Sequence, residues 1–543
     1  MFDWHNPYPA PRTPVFARNV VATSHPAAAQ AGLGVLRNGG GAVDAAIAAA
    51  AALVVTEPVS CGLGSDAFAI VWDGERLHGL NASGPAPKAW NLPDFARRHG
   101  TDADGRARIP DRGWDTVTVP GAVAAWGALH ARFGRVPFGD VLAPAEELAR
   151  RGVAVPPLVA MKWRPTSEEV AGMPGFGETF LPRGRPPEIG ERFVFPGAAR
   201  AMALLAEEGP RAFYEGEIAE AIVAQSARDG GLMDRKDLAD FAPEWVEPLA
   251  APFHGFTVHE MPPNGQGMAA LLALGILEHL GLDDLPPDGA LACHLQIEAM
   301  KLGFADVYAH VADPRHMRLA PRDLLDKGRL ARLAAGIDRT RVAAPAAAGP
   351  PPGGTVYLAA ADETGMMVSF IQSNYQGFGS GIVIPAFGVS LQNRGRGFST
   401  DPASPNALEG GKRPFHTIIP AFLTENGRPR MAFGVMGADM QPQGHVQTLV
   451  RMLVSHQQPQ AACDAPRWKI ELDGTVALEP SASPLLREGL AAMGHRLSEG
   501  VAVHADASLD FGAGQFVWRL GDDMEDGYVA ASDSRRDGLA AGW

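Results

Sequence analysis

Residues 342–354, VAAPAAAGPPPGG, form the one low-complexity stretch of this chain, and it ends abruptly. Alanine, proline and glycine in such a run bury too little apolar surface to offset the entropy of ordering, so the segment reads as an exposed, flexible linker. The pattern then changes to TVYLAAAD, a turn at ETG, and MMVSFIQS, which is a β-hairpin of buried type whose first strand begins at Thr355. The chain is thereby divided into residues 1–354, mostly helical, and residues 355–543, rich in strands. That order predicts a layered α/β protein with mixed or antiparallel sheets rather than a regular βαβ winding.

On the helical side, residues 24–56 read as helix, glycine turn and helix, and the second of these, AVDAAIAAAAALVV, is apolar nearly all round except at Asp44 and should be buried. Further helices are predicted over 216–230, 266–281 and 289–312, and one from about Gln443 to Ser455. A net charge of −14 argues against nucleic acid or an anionic membrane as the main partner. Three cysteines, Cys61, Cys293 and Cys463, cannot build a disulfide framework, and no CxxC pair exists. The N-terminal residues lack the apolar run of a signal peptide, and no 18-residue apolar stretch could span a bilayer, so the expectation is a soluble cytoplasmic protein.

Several motifs are excluded by their context. GFGSG (377–381) is followed by IVIP rather than by a helix, so it does not read as a phosphate loop. No G-x-S-x-G elbow is present. His294 and Glu298 share a helical face without HExxH, which reads as a solvated or capped pair, and no metal or organic cofactor is expected. Thr355 is the residue that points to chemistry. A flexible linker ending in Gly353-Gly354, then a threonine at the head of a buried strand, is the pattern of an N-terminal-nucleophile hydrolase before self-cleavage. Cleavage between Gly354 and Thr355 would leave hydroxyl and α-amine on one residue, and an amine with a reference pKa of roughly 7.7–8.0 can act as base for its own hydroxyl. The alternative is a threonine that begins a strand for propensity reasons alone.

Over nearly its whole length the chain resembles the γ-glutamyltransferase family. The resemblance is carried by LRNGGGAVDAAIAAAAALVVTEPVSCGLGSDAF, VPGAVAAWGALHARFG, LAPAEELARRGVAV, PPNGQG, TVYLAAADETGMMVSF, FGSGIVIPAFGVSLQNRGRGFS with GKRPFHTIIPA, and FGVMGADMQPQGHVQ, in that order. It implies a four-layer αββα N-terminal-nucleophile fold, made as one precursor that cuts itself into a large subunit, 1–354, and a small subunit, 355–543, that stay together. A homodimer of such processed heterodimers is compatible with it. By the same resemblance Thr355 attacks an amide carbonyl, Ser373 matches a second threonine that supports the nucleophile, and Gly437 and Ala438 match paired glycines whose N–H groups hold the oxyanion. His416 and Thr417 stand where two serines bind a substrate carboxylate.

Departures from the family pattern concern the substrate. Ser83 replaces an arginine that grips the γ-glutamyl α-carboxylate, and Gly397 replaces an aspartate for the α-amino group. Arg394 falls where a neutral amide residue usually sits, and Tyr375 on another amino-group ligand. The expected substrate is therefore a small amide bearing a carboxylate and no α-amine, such as an oxamate-like or dicarboxylic monoamide, with Arg394 either a bidentate clamp for one carboxylate or a structural salt-bridge partner. The alternatives are a true γ-glutamyltransferase or glutathione hydrolase, and an uncleaved binding protein of the same fold.

Overall fold

The computed structural model describes residues 3, 5–8, 12–343, 354–498 and 510–543, so the predicted linker lies outside the described residues except for Val342, Ala343 and Gly354. Two seven-stranded sheets carry the fold, and every adjacent pair within them is antiparallel. One runs Leu539–Gly542, Val20–Thr23, Gly354–Ala361, Met367–Tyr375, Asp66–Trp72, Leu77–Ala82 and Glu244–Val246. The other runs Val15–Ala17, Tyr528–Ser532, Ala513–Arg519, Arg428–Met436, Ala421–Glu425, Phe256–Glu260 and Leu249–Phe253.

Period-two alternation decides the layering. Along Gly354–Ala361, Val356, Leu358 and Ala360 pack against the helices Pro26–Arg37 and Ala42–Thr56. Tyr357, Ala359 and Ala361 point the other way and meet Phe422, Ala432 and Val517 of the second sheet. The far face of that second sheet is covered by the helices Met268–Leu277, Ala290–His310 and Met440–Leu449. The result is the four-layer αββα sandwich that the resemblance implied. Strands from both sides of the Gly354–Thr355 bond share both sheets, so 1–354 and 355–543 form one folded body rather than two separate domains.

The helix Ala42–Thr56 is buried on every side, as its composition required. Asp44 is tolerated there because its Oδ2 accepts the amides of Gly41 (2.8 Å) and Arg135 (2.9 Å). His294 and Glu298 depart from expectation, for they are buried, not solvated. His495 comes from a distant segment to within 2.8 Å of His294 Nδ1, while Lys301 and the Ala343 amide take the two oxygens of Glu298. Those bonds engage His294 and both Glu298 oxygens, while His495 Nδ1 has no hydrogen-bond partner among the described residues. No helix among the described residues is long and apolar enough to cross a membrane.

Candidate active site

Thr355 and Ser373 face each other from neighbouring strands of one hairpin. Two steps from Gly354 to Val356 are matched by three from Tyr375 to Gln372, so a β-bulge lies directly at the Gly354–Thr355 bond. The bulge leaves Tyr375 at φ 77°. It also brings Thr355 Oγ1 to 3.2 Å from Ser373 Oγ and turns the Gly354 carbonyl toward the same hydroxyl at 2.7 Å.

The contacts of Ser373 leave its own proton one acceptor. Its oxygen is met by the Tyr375 amide (2.8 Å), by Arg394 Nη2 (3.1 Å) and by the Thr355 hydroxyl, all donors. The single Ser373 proton is left for the Gly354 carbonyl oxygen. A carbonyl polarised in this way, with a hydroxyl on the next residue, is arranged for an intramolecular acyl shift.

Behind Ser373 lies a fully buried charged network. Arg394 Nη1 donates to Thr417 Oγ1 (2.9 Å), its guanidinium stands 4.4 Å over the Tyr375 ring, and its Nε lies 4.0 Å from Asp66 Oδ2. Asp66 in turn accepts from His416 Nε2 at 3.0 Å, a tautomer consistent with His416 Nδ1 taking the Ile418 amide. Burial and the nearby Arg394 hold the His416 imidazole well below its usual range, so it is neutral. Burial pushes the Asp66 carboxyl up to about 7 against the pull of Arg394, and lowers Arg394 to about 10, where it remains a cation at neutral pH.

The network closes over the positions expected to bind substrate. Arg394, Tyr375, His416 and Thr417 are brought together, but all are buried, and a carboxylate clamped by Arg394 would have to displace the hydroxyls of Ser373 and Thr417. Ser83 is also buried, with its Oγ on Asn264 Nδ2 (2.9 Å) and its carbonyl on Arg413 Nε (2.9 Å). A Cβ on Gly397 would meet the Phe415 carbonyl oxygen at 2.6 Å, so no side chain fits there without backbone movement.

Gly437 and Ala438 form a left-handed turn after the strand Arg428–Met436, with φ of 129° and 52°. Their carbonyls are engaged by the amides of Met440 and Gln441, and Gln266, from the PPNGQG loop, donates to both Ala438 O (2.7 Å) and Thr417 O (2.6 Å). Gln266 thus pins the two segments to each other.

In front of Thr355 opens a cavity of about 210 Å³, bounded by Gly354, Gly377 and Gly437. Its charged lining was not anticipated. Lys162, Arg112, Lys469 and Arg536 face Glu169, Asp439 and Asp510 across it. Lys162, Thr166 and Glu169 repeat at helical spacing on Pro157–Val170, so a single face of that helix forms one wall. In the sequence, nothing local to MKWRPTSEEV signals that this face looks onto Thr355.

Residues 28–543 match the family model described as Gamma-glutamyltranspeptidase. The chain is 36% identical to the glutathione hydrolase-like YwrD proenzyme of Bacillus subtilis, over 83% of this chain and 85% of that protein. It is 35% identical to the oxamate amidohydrolase proenzyme of Klebsiella pneumoniae, over 97% and 99%. The crystal structure of cephalosporin acylase from Bacillus halodurans superposes with a TM-score of 0.90 at 43% identity, covering 100% of this chain and 99% of that one.

Proposed function

The chain belongs to the gamma-glutamyltranspeptidase family, and we propose that within it this protein is a self-cleaving threonine amidohydrolase acting through an acyl-enzyme on Thr355. Its fold is that of the N-terminal-nucleophile hydrolases and its relatives are amide-cleaving or acyl-transferring proenzymes. The observation that carries the proposal is the contact set at the bulge: Thr355 Oγ1 beside Ser373 Oγ, Ser373 donating to the Gly354 carbonyl, and the cavity opening on Thr355.

Self-cleavage begins when Thr355 Oγ attacks the Gly354 carbonyl carbon. The C–N bond breaks, the Thr355 nitrogen takes up a proton, and water hydrolyses the resulting ester to a Gly354 carboxylate. The free amine then serves as base for the same hydroxyl toward an incoming amide, whose amine departs protonated. Water, or an amine acceptor, resolves the acyl-enzyme.

For the substrate we propose a small amide whose acyl part bears a carboxylate and no α-amine. Ser83 and Gly397 offer no charge to a γ-glutamyl head group, and oxamate, named for one relative, is an amide of this kind. Three buried, unpaired cysteines suit a reducing compartment such as the cytoplasm.

Denaturing electrophoresis of the purified protein should give fragments of roughly two-thirds and one-third of the mass. The smaller should begin Thr-Val-Tyr-Leu, and Thr355→Ala should remain one inactive band. A fragment beginning elsewhere, or an active Thr355→Ala protein, overturns the nucleophile. A clear preference for γ-glutamyl-4-nitroanilide over glutaryl-4-nitroanilide overturns the substrate.

A further inference from the structure

Lys162 is the one cavity-lining lysine or arginine whose charge the described residues leave without an ion pair or hydrogen bond of its own. Arg112 is held by Glu169 and by the carbonyls of Gly377 and Gly379, and Lys469 by Glu471 at 3.0 Å. Glu57, Asp537 and Asp510 attract Lys162 without reaching ion-pair distance, and the first two are engaged by other groups. Asp537 accepts the amides of Leu158 and Val159 at the head of the Lys162 helix, and Glu57 takes the Ser24 hydroxyl. Burial pulls the Lys162 ammonium down, and repulsion from the nearby Arg536 adds to it.

The helix is pressed against the nucleophile's own loop. A Cβ on Gly354 would lie 3.8 Å from Gly377 Cα, and a Cβ on Gly377 would strike Thr166 at 2.6 Å. Lys162 is one turn before Thr166 on the same helix face. Gly354 is itself the acyl residue of the self-cleavage step, so the space it borders is space for an acyl group.

We propose that Lys162, with Arg536 beside it, binds the carboxylate of the acyl donor in the cavity in front of Thr355. This rests on the reading of Thr355 as nucleophile and names the residues that select the substrate. Lys162, which has no ion pair of its own among the described residues, gains a direct counter-ion when a carboxylate enters, whereas a neutral acyl chain supplies none. Arg394 then holds Ser373 and the buried network, and does not clamp substrate.

The test compares kcat/KM for glutaryl-4-nitroanilide, pentanoyl-4-nitroanilide and N-pentanoyl-4-aminobenzoate in processed wild type, Lys162→Met and Lys162→Arg. These substrates place the carboxylate on the acyl side, nowhere, and on the leaving group. Lys162→Met should lower the glutaryl-to-pentanoyl ratio by about tenfold to a hundredfold, chiefly through KM, and Lys162→Arg should restore most of it. An unchanged ratio, an equal loss on all three substrates, or a loss confined to the aminobenzoate overturns the subsite while leaving Thr355 intact. A wild-type chain that neither cleaves itself nor hydrolyses any of the three overturns the Thr355 reading, and the subsite with it.

Discussion

The Ser373 hydroxyl donates to the carbonyl oxygen of Gly354 at 2.7 Å, on the bond next to the proposed nucleophile. A side chain on one strand thereby polarises a backbone carbonyl on its neighbour, and Arg394 Nη2, donating to Ser373 Oγ at 3.1 Å, makes Ser373 the better donor.

Ser373→Ala should slow self-cleavage by at least about tenfold, the loss expected for a hydrogen bond supported by a charge. Ser373→Thr should retain most of the rate, since it returns the hydroxyl to the same place. The conversion of precursor band to fragments with time measures both. A Ser373→Ala precursor that matures at the wild-type rate excludes this role.

Arg394 and Asp66 make a buried charge pair, and loss of one partner should cost more than loss of both. Arg394→Met should destabilise the protein by about 3–5 kcal/mol, and adding Asp66→Asn should recover part of it. Thermal unfolding of the two single variants and the double variant gives the coupling directly. Additive losses would show that the pair is not coupled.

Asp66 also carries a pH signature. Its carboxyl is raised by burial from an ordinary 3.8 to about 7, so the folded chain holds the proton more tightly than the unfolded chain across that window. Its stability contribution is therefore fully present below pH 3.8, is lost progressively as pH rises to about 7, and is level above. Relative to wild type, Asp66→Asn should gain stability as pH rises from about 4 to about 7. A difference in melting temperature between the two proteins that does not move with pH contradicts the shift.

Gly437 and Ala438 should respond in opposite ways to substitution. Gly437→Ala forces a side chain onto φ 129° and against Gly512 Cα at 3.0 Å, which displaces the amide proposed as an oxyanion donor. Turnover should fall by about 10²-fold or more. Ala438→Gly keeps its amide and relieves a left-handed alanine at φ 52°, so turnover should hold and stability should rise slightly. Equal kcat values for the two variants would remove Gly437 from the site.

What the sequence determined by itself is local or periodic. The alternation around Val356, Tyr357 and Leu358, the all-apolar helix after Gly41, and the break before Thr355 are written in neighbouring residues, because strand and helix periods and chain entropy act over short spans. The order of motifs further implied the αββα layers and the grouping of Ser373 with Arg394, His416 and Thr417. Tertiary structure alone decided which groups face open space. Asp66 reaches His416 across 350 positions, His294 meets His495 across 201, and Lys162 comes to the cavity in front of Thr355 from the helix Pro157–Val170. Burial is set by the other elements packed over a side chain, and so is the electrostatic cost that each charge must meet. That is why Arg394 is enclosed behind Ser373 and Lys162 left lining the cavity, although both are basic side chains.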